Sequence, residues 1–131
     1  MKHYGIENTG TLSSDALVMT TATELTIASG IVTITQSSHT IDTQSDASTD
    51  DLDTINGNTN GQLLYLRAAN AARAVSVTTN GNILTGGSAI TLDTTKIIAF
   101  LYDSLLSKWT IAGGSGGGAA GFDPIGMQVF M

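Results

Sequence analysis

The chain has 131 residues, of which only 12% are charged; its formal net charge is −6 and it contains no cysteine. The missing cysteines exclude disulfides, metal–thiolate sites and thiol catalysis within the chain, and five basic residues are too few for a broad phosphate-binding face, so neither nucleic acid nor an anionic membrane is an expected partner. A hydrophobic share of 41% lets one domain of this length collapse around a core, and no apolar run reaches the ~18 residues of a membrane-spanning helix.

Residues 1–20 are polar and turn-rich and read as an N-terminal arm. The opening "MKHYGIENTG" lacks the apolar stretch of a signal peptide, so export by the general secretory route is not expected. A β-domain is predicted over residues 21–112. Its first part, "LTIASGIVTIT" from Leu25 to Thr35, gives two β-forming runs separated by Ser29-Gly30. Val32 and Ile34 fall on one face with Thr33 and Thr35 opposite, the period of two expected of a strand with one wetter side. "SSHTIDT" extends that pattern through His39 and Ile41. An acidic stretch, "DTQSDASTDDLDTINGN", follows and reads as a loop, because its side chains favour turns by bonding to their own backbone.

"GQLLYLRA" is predicted as a strand with Leu63, Tyr65 and Arg67 on one side and Leu64, Leu66 and Ala68 on the other. Both sides are largely apolar, as in a central strand or one covered by another layer or subunit. "AANAAR" is too short for a helix and reads as a link into the strand "AVSVTT". Thr79-Asn80-Gly81-Asn82 has the composition of a hairpin turn. "NILTGGSAITL" supplies two short runs around Gly86-Gly87, and Ile97–Tyr102 and Lys108–Ile111 are expected to pair. Seven to nine short β runs joined by glycine and asparagine turns predict an all-β fold, a small antiparallel β-sandwich or barrel of jelly-roll type.

Residues 113–121 form a glycine-rich linker, and residues 122–131 an apolar C-terminal tail that includes Phe122, Ile125 and Phe130. Each large side chain gains roughly 1.5–3 kcal/mol on burial. The tail is therefore expected to fold back as a last strand or to insert into another copy, with a disordered end or a site for another protein as the remaining alternatives.

Five acids lie between Asp42 and Asp53, and Asp50, Asp51 and Asp53 are the candidates for a cation site. Calcium takes six to eight hard oxygen ligands, but an EF-hand-like series counted from Asp51 has Ile55 where an oxygen is needed. Turn-capping is the blander and favoured role for these acids. A glycosidase pair would need a sugar cleft with aromatic platforms, and the single tryptophan, Trp109, sits in a strand pattern where core packing is expected. His3 and His39 have no metal-binding spacing, and "GGSGGG" lacks the strand, helix and lysine of a phosphate-binding loop. Arg67 and Arg73 flank "AANAA" and are expected to serve assembly, approaching one another or pinning carboxylates of the Asp50–Asp53 segment within or between subunits. No cofactor is expected and no catalytic residue stands out.

"HTIDT" at His39–Thr43, "TDDLDTINGNTNGQLLYLRAAN" at Thr49–Asn70 and "AFLYDSLLSKWTIAG" at Ala99–Gly113 carry a resemblance. Together they resemble a module of tail-fibre and other virion structural proteins of tailed bacteriophages, over roughly Thr23 to Gly113. The resemblance implies a non-enzymatic virion protein, commonly trimeric, in which Leu63–Arg67 and Trp109 are structural. The chain has no long repeats or heptads for a shaft. It therefore implies a capsid decoration (cement) protein that forms a homotrimer and contacts the major capsid protein. A tail-fibre or receptor-binding tip and a carbohydrate- or calcium-binding module are the alternatives.

Overall fold

A computed structural model describes residues 9–114. Eleven strands account for its regular structure, all but a short 3-10 turn at Gln44–Asp46. They are β1 (Thr23–Thr26), β2 (Ile31–Thr33), β3 (Ser38–Asp42), β4 (Thr49–Leu52), β5 (Thr54–Asn56), β6 (Leu63–Ala68), β7 (Ala74–Val77), β8 (Ile83–Leu84), β9 (Ile90–Thr91), β10 (Ile98–Asp103) and β11 (Lys108–Gly113). The fold is all-β, as the alternating patterns predict, but it is neither a sandwich nor a barrel. It is a short β-solenoid of stacked coils.

The pairing shows why. Antiparallel sandwiches join consecutive strands as hairpins, whereas here consecutive strands lie in different sheets and like strands of successive coils pair in parallel. β1 runs parallel to β3 and β3 to β6, β2 runs parallel to β5, and β4 to β7. Ser38 lies beside Tyr65, 27 positions on, and Thr49 beside Ala74, 25 positions on; those offsets are the length of one coil. The first coil is shorter, and in place of a third-face strand it has a single bridge between Ala28 and Ile31. β4 and β5 are separated by Asp53 alone and still belong to separate sheets, so the chain turns a corner there.

Stacking places like upon like. Val32 lies beside Ile55, Ile41 beside Ala68 and Leu52 beside Val77, and all six are buried. β6 buries Leu64, Leu66 and Ala68 and turns Leu63, Tyr65 and Arg67 outward, on the faces its alternation assigns. After β7 the chain reverses: β9 is antiparallel to β7, β10 to β6 and β11 to β10. The Ile98–Asp103 and Lys108–Gly113 hairpin is thus the expected one, with Tyr102 opposite Trp109. The turn at Thr79–Asn82 is not a hairpin, because β7 before it and β8 after it enter different sheets. Likewise the two runs around Gly86-Gly87, β8 and β9, do not pair with one another.

The end of the parallel stack is closed by β10, β11 and β8, which continue the first sheet past β6. Phe100, Trp109 and Ile83 on these strands are completely buried and plug the core. Beside β5 there is no backbone strand of the next coil, and the side chain of Asn82 takes its place. Its Oδ1 accepts the Ile55 N–H at 2.9 Å and its Nδ2 donates to the Ile55 carbonyl at 2.7 Å. Trp109 Nε1 donates to the same carbonyl at 3.2 Å, occupying its second lone pair.

The corners stack as well. Gly30 (φ 81°) gives its carbonyl to the Asp53 and Thr54 amides at 2.8 and 3.1 Å, and Asp53 in turn abuts Gly81 (φ 55°) of the following coil. A Cβ at Gly81 would collide with the Asp53 carbonyl and the Thr54 hydroxyl, so this corner column admits only glycine at that level.

Three substitutions test this architecture. Gly81→Ala should lower stability by at least ~2 kcal/mol, from left-handed strain plus a backbone clash. Gly86→Ala, where φ is also positive but no atom lies within 4 Å, should show only the smaller conformational cost. Asn82→Ala leaves the Ile55 N–H without an acceptor and should cost about 2–3 kcal/mol. Urea unfolding followed by the fluorescence of Trp109, the single tryptophan, measures all three.

Candidate functional site

Three of the charged residues, Asp42, Asp46 and Arg73, meet at a corner where one face of the solenoid turns into the next. Asp42 ends β3 and Asp46 sits in the 3-10 turn after it, while Arg73 ends the corresponding link of the following coil. The guanidinium Nη1 of Arg73 lies 2.6 Å from Asp42 Oδ2 and 2.9 Å from Asp46 Oδ1. Asp42 is nearly buried, its Oδ1 also accepting the Thr43 amide at 2.8 Å, while Asp46 is open to solvent. The inner ion pair is therefore the stronger of the two, since water screens the outer one. Arg73 thus pins one coil's corner to the next, the clasp role expected of it, but it holds Asp42 and Asp46 and not the Asp50–Asp53 segment. Arg67 does not approach Arg73; it points outward from β6 and donates to the Thr94 carbonyl at 3.3 Å.

The acidic stretch expected as a loop is about half strand, holding β4 and β5 as well as the 3-10 turn. Asp50 and Asp51 are neighbours within β4 and so face opposite sides of the sheet, and Asp53 forms the corner. Asp50 lies on the Val75 side; its Oδ2 accepts the Gln44 amide and its Oδ1 the Asp51 amide, both at 2.8 Å. Asp53 Oδ1 accepts the Thr78 hydroxyl at 2.6 Å. Asp51 is exposed on the Ser76 side. The three candidates for a cation site do not converge, and among the described residues no group of three His, Cys, Asp or Glu side chains is placed to hold a metal ion.

His39 lies inside the core with 1% of its surface exposed, where sequence placed it only on a strand face. Its Nε2 accepts the Thr35 and Gln36 amides at 3.1 and 3.3 Å, and Nδ1 lies 3.0 Å from the Thr23 carbonyl. Amides only donate and a carbonyl only accepts, so the ring proton is on Nδ1. The imidazole closes the turn into β3 and ties it to β1, with the Thr23 hydroxyl also 3.0 Å from Nδ1, so both ring nitrogens are engaged. Asn82, which also holds backbone in place of a strand, was not identified from sequence. Its signal there is indistinguishable from that of any asparagine in a turn.

A pocket of about 190 Å³ opens beside Arg73, between the Ala68–Ala74 link and Thr91–Thr94. Its walls are mainly small, with Ala68, Ala71 and Ala74 on one side and Leu92 and Asp93 on the other. It is smaller than the ~300 Å³ at the lower end of small-molecule sites. The Asp93 carboxyl is held below its ordinary value of 3.8, first by the backbone amide of Thr95 and then by the Thr95 hydroxyl, both donating to it. Its stabilising contribution is present above 3.8 and fades as pH falls through the lower folded value. This carboxylate caps a turn and is exposed.

Phe122, Ile125 and Phe130 of the tail, His3 and most of the glycine linker lie outside the described residues. No protein family, characterised protein or solved structure matches this chain.

The clasp makes a measurable difference to stability. Arg73→Met leaves the nearly buried Asp42 without its cation and should cost about 2 kcal/mol, less than a fully buried pair because Arg73 is partly solvated. Asp46→Asn, which removes only the exposed partner, should change stability by less than ~0.5 kcal/mol in the same urea titration.

Proposed function

We propose that this chain is a non-enzymatic structural protein of a tailed-bacteriophage particle, a capsid decoration protein that associates with itself as a homotrimer and with the major capsid protein. One observation carries the reading. Several side chains with the chemistry to act on a ligand are engaged in holding the fold: Arg73 joins Asp42 and Asp46 across coils, Asp53 takes the Thr78 hydroxyl, Asp50 takes amides of its own corner, and His39 bonds three backbone groups. What the molecule offers outward is a stiff, weakly charged surface carrying exposed Leu, Ile and Val side chains. That combination suits a protein whose work is contact. The order of motifs shared with tail-fibre and virion structural proteins supports the same class.

The stacked coils favour a second reading within that class, a tail-fibre component. Parallel coils add along one axis, which is how an elongated element is built from short strands. Gold-labelled antibody against the full chain, applied to phage particles from the lysate in which the chain is made, separates the two. Label over the head is expected for a decoration protein, and label confined to the fibres would transfer the assignment to the second reading. Particles without label, beside abundant free chain, would overturn both.

A further inference from the structure

The outer face of the β6–β10 pair is apolar where a solvated sheet would be polar. Leu63 and Leu101 are opposite one another and both point outward, 39% and 37% exposed, with Tyr65 opposite Ala99 in the next outward row. Arg67 ends the stripe, and among the described residues its guanidinium bonds only the Thr94 carbonyl. The inner face of the same strands fills the core through Leu64 and Phe100, so this sheet is apolar on both sides, as sheets covered on both sides are.

A second uncovered apolar element precedes the solenoid. Residues 9–22 form no strand, and Leu17 and Val18 are 73% and 85% exposed. Asp15 sits at a bend where the Ser14 hydroxyl donates to the Ala16 carbonyl at 2.6 Å; with that bend straightened on docking, Asp15, Leu17 and Met19 share one side. Asp15 and Met19 are four positions apart, and so are Arg67 and Leu63 at the two ends of the stripe. Laid along the stripe, the arm sets a carboxylate against Arg67, Leu17 over Tyr65 and Ala99, and Met19 over Leu63 and Leu101. Charge and apolar surface both match.

We infer that the arm of one copy lies along the outer β6–β10 face of a second copy. The arm's own sheet is a poor target, because it enters at β1, two strands from β6 and three from β10, with Thr23 level with Leu66 through His39. Setting Met19 over Leu63 and Leu101 takes ~12 Å across the strands and ~10 Å along them, together ~16 Å, whereas the four residues from Met19 to Thr23 reach ~14 Å at full extension. The arm falls short of that place on its own copy. A neighbouring copy presents the same face without that constraint, and head-to-tail contacts of this kind close into a ring such as a trimer. The inference rests on the self-associating part of the function proposed above and not on where in a particle the chain resides.

The chain has no cysteine, so engineered thiols report on this contact alone. Full-length Met19→Cys is mixed with full-length Leu101→Cys carrying a mass tag, and the mixture is oxidised. A disulfide between the two differently sized chains is expected, at least fivefold above a control pairing Met19→Cys with Asn60→Cys in an exposed turn. Asp15→Lys in the first chain should reduce the yield severalfold, and Arg67→Glu in the second should restore it. A yield no higher than the control overturns the inference. So does a Met19→Cys, Leu101→Cys double variant that closes only within one chain. Sedimentation of the full chain separates the two failures: an oligomer without the cross-link leaves self-association standing, whereas a monomer at every concentration removes both. Particle labelling tests location independently of either result.

Discussion

The peptide group of Ile55 is where the architecture is most constrained. In a stack of parallel coils every strand takes its hydrogen bonds from the coil before and the coil after, and the last coil leaves an open row of donors and acceptors. At Ile55 that row is completed by side chains, with Asn82 presenting an amide that bonds as a strand backbone would and Trp109 adding the third bond. The Trp109 ring is held edge-on by Tyr102 at 5.2 Å, and both belong to the hairpin that closes the core. The same residues thus end the hydrogen-bonded ladder, plug the hydrophobic core and reverse the chain. A small solenoid without repeating end units needs some such termination.

Around that closed end, charge serves position. The chain has few ionisable groups, and those at the corners act as pins: Arg73 joins the β3–β4 corner to the β6–β7 link, and Asp53 is lodged between Gly30 and Gly81 of the coils on either side. Each corner therefore depends on the one below. The result is stiffness obtained from hydrogen bonds and close packing, with the apolar side chains of β6, β10 and the arm left over for contact with other molecules. Structure and proposed function meet at this point, because a protein that acts by covering a surface requires a rigid body and a place to touch.

Much of the local structure is legible in the residues. The alternation of Leu63 to Ala68 gives both the strand and its inward face, and the "YD…W" segment gives the hairpin of β10 and β11. Arg73, which with Arg67 flanks "AANAA", is legible as a residue that pins carboxylates. Its partners are not, because Asp42 and Asp46 are brought to it by a coil repeat of 25 to 27 positions that no recurring motif announces. The acids of β4 mislead for a related reason: aspartate disfavours strands in isolation, but the Asp50 carboxylate is satisfied by the Gln44 amide of the neighbouring turn and by the Asp51 amide of its own strand.

By itself the sequence determined the all-β class, the positions and faces of the main strands, and the exclusion of thiol chemistry. These are consequences of side-chain periodicity and composition, which act over a few residues. The tertiary structure alone decided that neighbouring strands run parallel in stacked coils, that the Asn-Gly turn at residues 80–81 is a corner, and which carboxylates meet Arg73. A period of two says which side chains point inward and is the same for parallel and antiparallel pairing. The choice between a sandwich and a solenoid is made by backbone partners some 25 residues apart and by corner contacts such as Gly30, Asp53 and Gly81, which exist only once the coils are stacked.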